Sequence, residues 1–355
     1  MLKPKYTITN KLLANIKRVN SQVLALNSRH FPKVVLMDFE RQARLLSTFT
    51  STSIEGNPLP LTEVKKILKS TPKYIRETER EVLNYNKALK RLNQRLEKRK
   101  KSALTTGLIL NVHKQIIKEL LPDFQAGKWR KETVQILNPK IQRPVFLPPD
   151  WQEVPALIND LVMFINKNKE EIDPLILAGI FHKQFVLIHP FIDGNGRTSR
   201  LITKTLLADM GLNTFNLFSF ENYYNQDVTK YFSKVGEYGD YNELVKQNKI
   251  DFSEWLEYFT DGIINELLRV EKLLFQTKQT PEDQLKQHHQ IILNWLQFHS
   301  FITDKDYSKL TNRAKATRAL DFKFLIKQNL IKREAKGKNT YYILKESSMA
   351  EPLSA

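Results

Sequence analysis

Residues 189–200 read HPFIDGNGRTSR, placing His189, Asp193, a Gly194-Asn195-Gly196 turn, Arg197 and Arg200 in one short stretch. A histidine can take a proton near neutral pH. Gly194 and Gly196 admit backbone conformations closed to bulkier residues, so successive amide N–H groups can face one concavity and hold an anion. A helix starting at about Arg197 would aim its positive end at the same point. It would also put Arg197 and Arg200 on one face, within reach of a polyphosphate. Asp193 beside such an anion needs an intervening cation, and magnesium bound by one carboxylate and phosphate oxygens meets that need. The chemistry is attack of a hydroxyl on a phosphoanhydride. Taken singly, a histidine before a proline is more often structural, and a turn between helices explains the glycines. Neither explains His, Asp and both Arg at these offsets. The pattern is not a Walker loop and not a dinucleotide fingerprint.

Helices must carry this loop. Residues 174–188 read as a buried helix ended by Pro190, which leaves His189 where helix gives way to loop. Three- and four-residue apolar spacing predicts further helices over 34–49, 75–98, 150–168, 201–212, 219–235 and 251–275. Another is expected over 105–121, stopping at Pro122. Residues 127–149, GKWRKETVQILNPKIQRPVFLPP, instead predict a β-hairpin isolated among helices. A lone hairpin is marginal in water, so it is either an inert excursion or a flap over a site. KRLNQRLEKRKK (90–101) reads as solvated charge at a helix end.

At 355 residues the chain suggests two or three domains, and 41% hydrophobic residues support an ordinary core. Zero cysteines exclude disulfides, zinc–thiolate sites and thiol catalysis together. No run reaches the ~18 apolar residues of a membrane span, and the N-terminus lacks a signal-peptide core. A cytoplasmic protein without membrane partners is expected. The net charge of +18 fits either polyanion partners or a lysine-rich solvated surface.

HPFIDGNGRTSR is similar to the Fic signature HPFx[DE]GNGRxxR at every fixed position, and the resemblance extends over roughly residues 34–270. It implies a mainly α fold, a Fic-type helical core with a β-hairpin flap, and protein adenylylation: AMP passes from ATP to a Ser, Thr or Tyr hydroxyl of a target protein or of the enzyme itself. By matching positions His189 is the base and Asp193 the Mg2+ ligand. Gly194, Asn195 and Gly196 cradle the α-phosphate, Arg197 holds the β/γ-phosphates and Arg200 the γ-phosphate. The segment 127–149 resembles the flap that aligns a target by strand addition. SFENYYNQDVTKYF resembles the nucleoside-side segment, making Tyr223, Tyr224, Asn225 and Tyr231 candidates for nucleoside contact; Val228 and Val186 depart from the family pattern.

Ser51-Thr52-Ser53-Ile54-Glu55-Gly56-Asn57 resembles the family's inhibitory motif [ST]xxxE[GN] at the end of a helix over about 34–57. The resemblance implies a Glu55–Arg200 pair, which would keep Arg200 off the γ-phosphate. In some relatives that glutamate also serves removal of AMP. Locally, Gly56 reads equally as a helix cap.

KQTPEDQ (278–284) breaks the apolar pattern, and residues 282–345 follow their own order. A helix, two short helices around a turn, and a strand pair turned at GKN read as a small α+β winged helix-turn-helix. Arg313, Lys315 and Arg318 stand at the start of its second helix, and Lys336 and Lys338 at its wing tip. DNA and a protein surface are both candidate partners, as is a second copy of the chain. The expected layout is an N-terminal helical region (1–100), a catalytic core (101–277) and this module. The rival function is a nucleotide-responsive DNA-binding regulator.

Overall fold

The computed structural model describes residues 2–29, 31, 33–97, 103–137, 143–212, 214, 216–275, 285–328, 330–335 and 340–345. Packing divides the chain into two compact units, residues 1–29 with 43–272 and residues 30–42 with 273–355. The elements run α1 (Asn10–Asn27), α2 (Lys33–Ile54), α3 (Leu61–Lys69), α4 (Glu77–Glu97), α5 (Thr106–Ile116), β1 (Ile136–Leu137), β2 (Pro144–Leu147), α6 (Val154–Lys167), α7 (Pro174–Ile188), α8 (Asn195–Asp209), α9 (Glu221–Gln226), α10 (Val228–Val235), β3 (Gly239–Asp240), α11 (Tyr241–Lys246) and α12 (Ser253–Phe275). They continue with α13 (Gln287–Phe298), α14 (Asp304–Leu310), α15 (Lys315–Lys327), β4 (Ile331–Glu334) and β5 (Tyr341–Leu344).

In the larger unit α7 is the central rod. Its sequence is apolar almost all round, and every residue from Leu175 to Phe185 is buried. Asp173 starts it by accepting from the Leu175 amide, with Pro174 in the first turn. Phe181 and Phe185 pack with Tyr85 of α4, Ile109 and Val112 of α5, Ile158 and Leu161 of α6 and Leu201 of α8. Close approach to α12 requires Gly179: the Trp255 indole donates to its carbonyl at 2.8 Å, and a Cβ there would collide with Leu256. The C-terminal part of α2 is buried although it is rich in Ser and Thr. Thr48, Thr50 and Thr52 donate their hydroxyls to the carbonyls of Arg44, Leu46 and Thr48, so no hydroxyl of these three is stranded.

Two expectations change here. The helix expected to run to Pro122 ends at Ile116. Asn84 donates to the carbonyls of Ile116 and Lys118, capturing the end of α5, and Glu119 turns the chain with φ 60°. The hairpin is also not isolated. β1 pairs antiparallel with β2, Ile136 opposite Phe146, but β2 pairs in parallel with β3, Phe146 opposite Gly239. The tip of the hairpin lies outside the described residues.

In the smaller unit Met37, Ile292, Leu293, Leu296, Tyr307, Phe322 and Leu325 form a core of their own. β4 and β5 pair antiparallel, Ile331 opposite Leu344. The buried Asp321 carboxylate accepts from the Tyr307 hydroxyl and from Arg313 Nε, both at 2.8 Å. Arg318 is bound by Asp304 through both carboxylate oxygens at 2.8 Å. His288 and His289 also approach Asp321. The Lys286 amide donates to His289 Nδ1 at 3.3 Å, and the Nε2 atoms of His288 and His289 lie 3.3 and 3.8 Å from Asp321 Oδ1. Residues 278–284, the GKN turn, Lys336 and Lys338 lie outside the described residues.

Candidate active site

The signature loop joins α7 to α8. His189 caps α7 in the left-handed conformation, φ 51° and ψ 59°, which turns its side chain out of the helix line. Its Nδ1 lies 3.2 Å from the Val186 carbonyl. Nδ1 therefore carries the proton, and Nε2 is left as an acceptor. Burial, first of all, pushes the imidazole down to about 4, so it is neutral at neutral pH.

Gly194 follows with φ 79° and caps α8, which begins at Asn195, two residues before the start expected at Arg197. The buried Asn195 amide closes the loop, accepting from the Phe191 amide and donating to the Phe191 carbonyl, both at 2.9 Å. Gly196 is needed for another reason: a Cβ there would overlap Glu55 Oε1.

Asp193 is half-exposed, and both its oxygens accept from Arg197 Nη2, at 2.8 and 2.7 Å. Burial raises its pKa, but the Arg197 charge together with the hydrogen bonds from Arg197 and the Gly194 amide outweighs that and holds the carboxyl below its usual range. Arg197 is itself buried, and its Nη1 pairs with Glu81 at 2.7 Å. An ionised, accessible carboxylate beside main-chain amides fits a hard cation shared with phosphate oxygens.

Arg200 is wholly buried. Its Nε donates to Ser51 Oγ at 2.8 Å, and Nη2 donates to the Ser51 carbonyl at 2.9 Å and to Glu55 Oε1 at 2.6 Å. Burial opposes its charge, yet Glu55 raises its pKa well above the ordinary arginine value. α2 delivers this pair: Ser51 sits on its last turn, and Gly56, with φ 92°, ends it. Tyr231 adds a hydroxyl 3.5 Å from Arg200 Nη1, and that hydroxyl also meets His182 Nε2 at 2.9 Å.

The candidate nucleoside residues separate in the structure. Tyr224 is fully buried and stacks on Tyr231, so it belongs to the core beneath the site. Tyr223 and Asn225 are partly exposed.

Three residues that sequence reasoning missed, together with Asn57, hold the loop. His113 on α5 accepts from the Gly127 amide through Nδ1 and donates through Nε2 to the Asp193 carbonyl, both at 3.0 Å, while its ring stacks on Phe191. Arg130, which is buried, donates to the carbonyls of His189 and Glu132 at 2.9 Å and to that of Pro149. It thereby ties both roots of the hairpin to the main chain of His189. Glu81 holds Arg197, and Asn57 donates to Glu81 at 2.7 Å. Only Asn57 had a signal in the sequence, as the residue after Glu55-Gly56.

Residues 103–207 match the Fic/DOC family. The chain is 30% identical over 200 residues to protein adenylyltransferase Fic of Aedes aegypti, covering 55% of this chain and 38% of that protein. It is 32% identical over 176 residues to protein adenylyltransferase fic-1 of Caenorhabditis elegans, covering 48% and 33%. The chain thus spans well under half the length of these curated relatives. In fold it is similar to a Fic family protein from Desulfovibrio desulfuricans, with a TM-score of 0.62 at 18% identity over 99% of this chain and 100% of that one. It is also similar to Fic-1 of C. elegans, with a TM-score of 0.59 at 23% identity over 75% and 74%. The loop that joins His189 to Arg200 therefore lies inside the segment, residues 103–207, that matches the Fic/DOC family.

Proposed function

We propose that the protein transfers AMP from ATP to a hydroxyl of a target protein, and that Glu55 restrains it by occupying Arg200. The observation that carries the transfer is His189: its Nδ1 is committed to the Val186 carbonyl, which leaves Nε2 as the acceptor, on the residue that ends α7 just before the turn into α8. The target hydroxyl oxygen attacks the α-phosphorus and gives its proton to His189 Nε2. The bond from the α-phosphorus to the bridging oxygen breaks, and pyrophosphate leaves with the electron pair. The amides at the start of α8 and the two arginines receive the negative charge. Magnesium bound with the triphosphate would neutralise part of that charge, with Asp193 as its protein ligand.

The restraint rests on the same geometry. With its Nη2 bound to Glu55, Arg200 has no free fork to offer a γ-phosphate. The hairpin 127–149 is read as the platform for the target backbone, joined by strand addition.

The smaller unit is read as a winged helix on the order α13, α14, α15, β4, β5. Arg313 and Arg318, two of the three cations expected to face DNA, are bound internally to Asp321 and Asp304. That favours the transferase reading over the DNA-binding regulator.

Glu55→Gly protein incubated with magnesium and ATP labelled at the α-phosphate is expected to carry covalent label, on itself or on proteins of an added lysate. Wild type should carry much less and His189→Ala none. Folded Glu55→Gly protein that transfers no label to any protein would overturn the reading.

A further inference from the structure

Arg197 and Arg200 are both expected to meet the triphosphate, yet only Arg200 has been given a restraint. Arg197 has one too. Its Nη1 lies 2.7 Å from Glu81 Oε1, and its Nη2 is spent on Asp193. Its buried Nε has no hydrogen-bond partner among the described residues. Glu81 projects from α4, an element separate from the helix that carries Glu55. Its second oxygen accepts from the Asn57 amide at 2.7 Å. Asn57 is itself fixed: it donates to the Thr78 carbonyl at 2.9 Å and accepts from the Leu59 amide at 3.1 Å. It lies two residues after Glu55, across the turn at Gly56. One short turn therefore connects the carboxylate on Arg200 with the carboxylate on Arg197.

The charges make this more than a scaffold. Glu55, Glu81 and Asp193 face two arginines, so these five side chains carry a net negative charge before any nucleotide arrives. A triphosphate entering there meets repulsion that two free arginines would not present. Releasing Glu55 alone leaves Arg197 still bound on both sides.

We propose that Glu81 is a second restraining carboxylate of the nucleotide site: it holds Arg197 as Glu55 holds Arg200, and Asn57 couples the two. This rests on the reading that the site takes ATP. Full activation then requires both arginines to exchange a carboxylate for phosphate oxygens, and the turn at Gly56-Asn57 is where the two exchanges communicate.

The test is nucleotide binding by calorimetry with magnesium present, using the 355-residue chain carrying His189→Ala so that nothing turns over. Glu55→Gly is added, then Glu81→Gln, singly and together, and each protein is titrated with ATP and with AMP. Glu81→Gln is expected to tighten ATP binding by about ten-fold in either background, by less as salt rises, and to leave AMP binding unchanged, because AMP lacks the phosphates assigned to Arg197. A purely structural role would shift ATP and AMP alike. Unchanged or weaker ATP binding by a folded Glu81→Gln protein refutes the proposal while leaving the ATP reading standing. If the Glu55→Gly background binds no ATP, the ATP reading falls and takes this proposal with it. Should Glu81→Gln fail to fold, Asn57→Ala carries the test, with a smaller ATP-selective gain expected and no gain refuting the coupling.

Discussion

Arg200 Nη2 and Glu55 Oε1 lie 2.6 Å apart, with the arginine side chain fully buried and the glutamate side chain 23% exposed. The pair is therefore unequal. Arg200 is anchored by Ser51 on two further bonds, whereas Glu55 sits at a helix end beside a glycine turn. Glu55 is the part that can leave.

Glu55→Gly should accordingly raise AMP transfer by at least ten-fold and lower stability at the same time. Removing one partner of a buried pair costs about 3–5 kcal/mol when nothing replaces it, and the Ser51 bonds to Arg200 should hold the loss below that. A labelled-ATP assay and a thermal melt on the same sample check both signs. A variant that is more active and equally stable would show that Arg200 does not depend on Glu55 for its charge.

Arg130 should matter to target modification more than to nucleotide binding. Its guanidinium serves the carbonyls of His189, Glu132 and Pro149, and each buried carbonyl left unmet costs about 1–3 kcal/mol. Arg130→Ala is expected to be severely destabilised. Arg130→Lys, which cannot span three carbonyls, should fold and bind ATP normally while transferring AMP to protein at least ten-fold more slowly. The comparison of ATP affinity with transfer rate decides it, and equal losses in both would point to general loosening instead.

Stability should fall in mild acid through His182. Burial, and next the Arg200 charge, hold its pKa well below the ordinary 6.5. The unfolded chain takes up a proton as pH falls through about 6.5, and the folded chain does not. The contribution is therefore complete above that pH and is lost progressively below it. Melts between pH 8 and pH 5 should show a declining Tm, and a shallower decline in His182→Gln, which cannot titrate. Identical slopes would clear His182 of the effect.

Gly179→Ala should destabilise the larger unit by about 1–3 kcal/mol, because the added methyl has to displace Leu256 from a packed helix contact. Denaturant unfolding should show a lower midpoint. An unchanged midpoint would mean that α7 and α12 can separate at no cost.

Much of the site was legible because it is local. His189, Asp193, Gly194 and Arg197 stand within nine residues, and spacing alone set them at the end of one helix, in a loop and in the first turn of the next. The Glu55–Arg200 pair spans 145 residues, and it was legible only because the segment 51–57 resembles a known motif. Glu81, Arg130 and His113 had no such signal. Glu81 looked like one more charge on an amphipathic helix. Arg130 and His113 act through main-chain carbonyls and amides, which leave no mark on the residue types they meet. The parallel pairing of β3 with β2 escaped for a related reason, since the two residues Gly239 and Asp240 are too few to show alternation. The early end of α5 is written in Asn84, a residue on another helix.

Asn195 holds one more consequence. It precedes Gly196, the neighbour whose backbone nitrogen most readily attacks an asparagine side chain and expels ammonia; water then opens the cyclic imide to aspartate or isoaspartate. In this fold both ends of the Asn195 amide are gripped by Phe191, and the following nitrogen lies in the first turn of α8. The attack cannot align while the loop is closed. The grip that closes the loop thus also shields it from chemical ageing, and the slow gain of one mass unit at position 195 in stored protein becomes a clock for how often the loop opens.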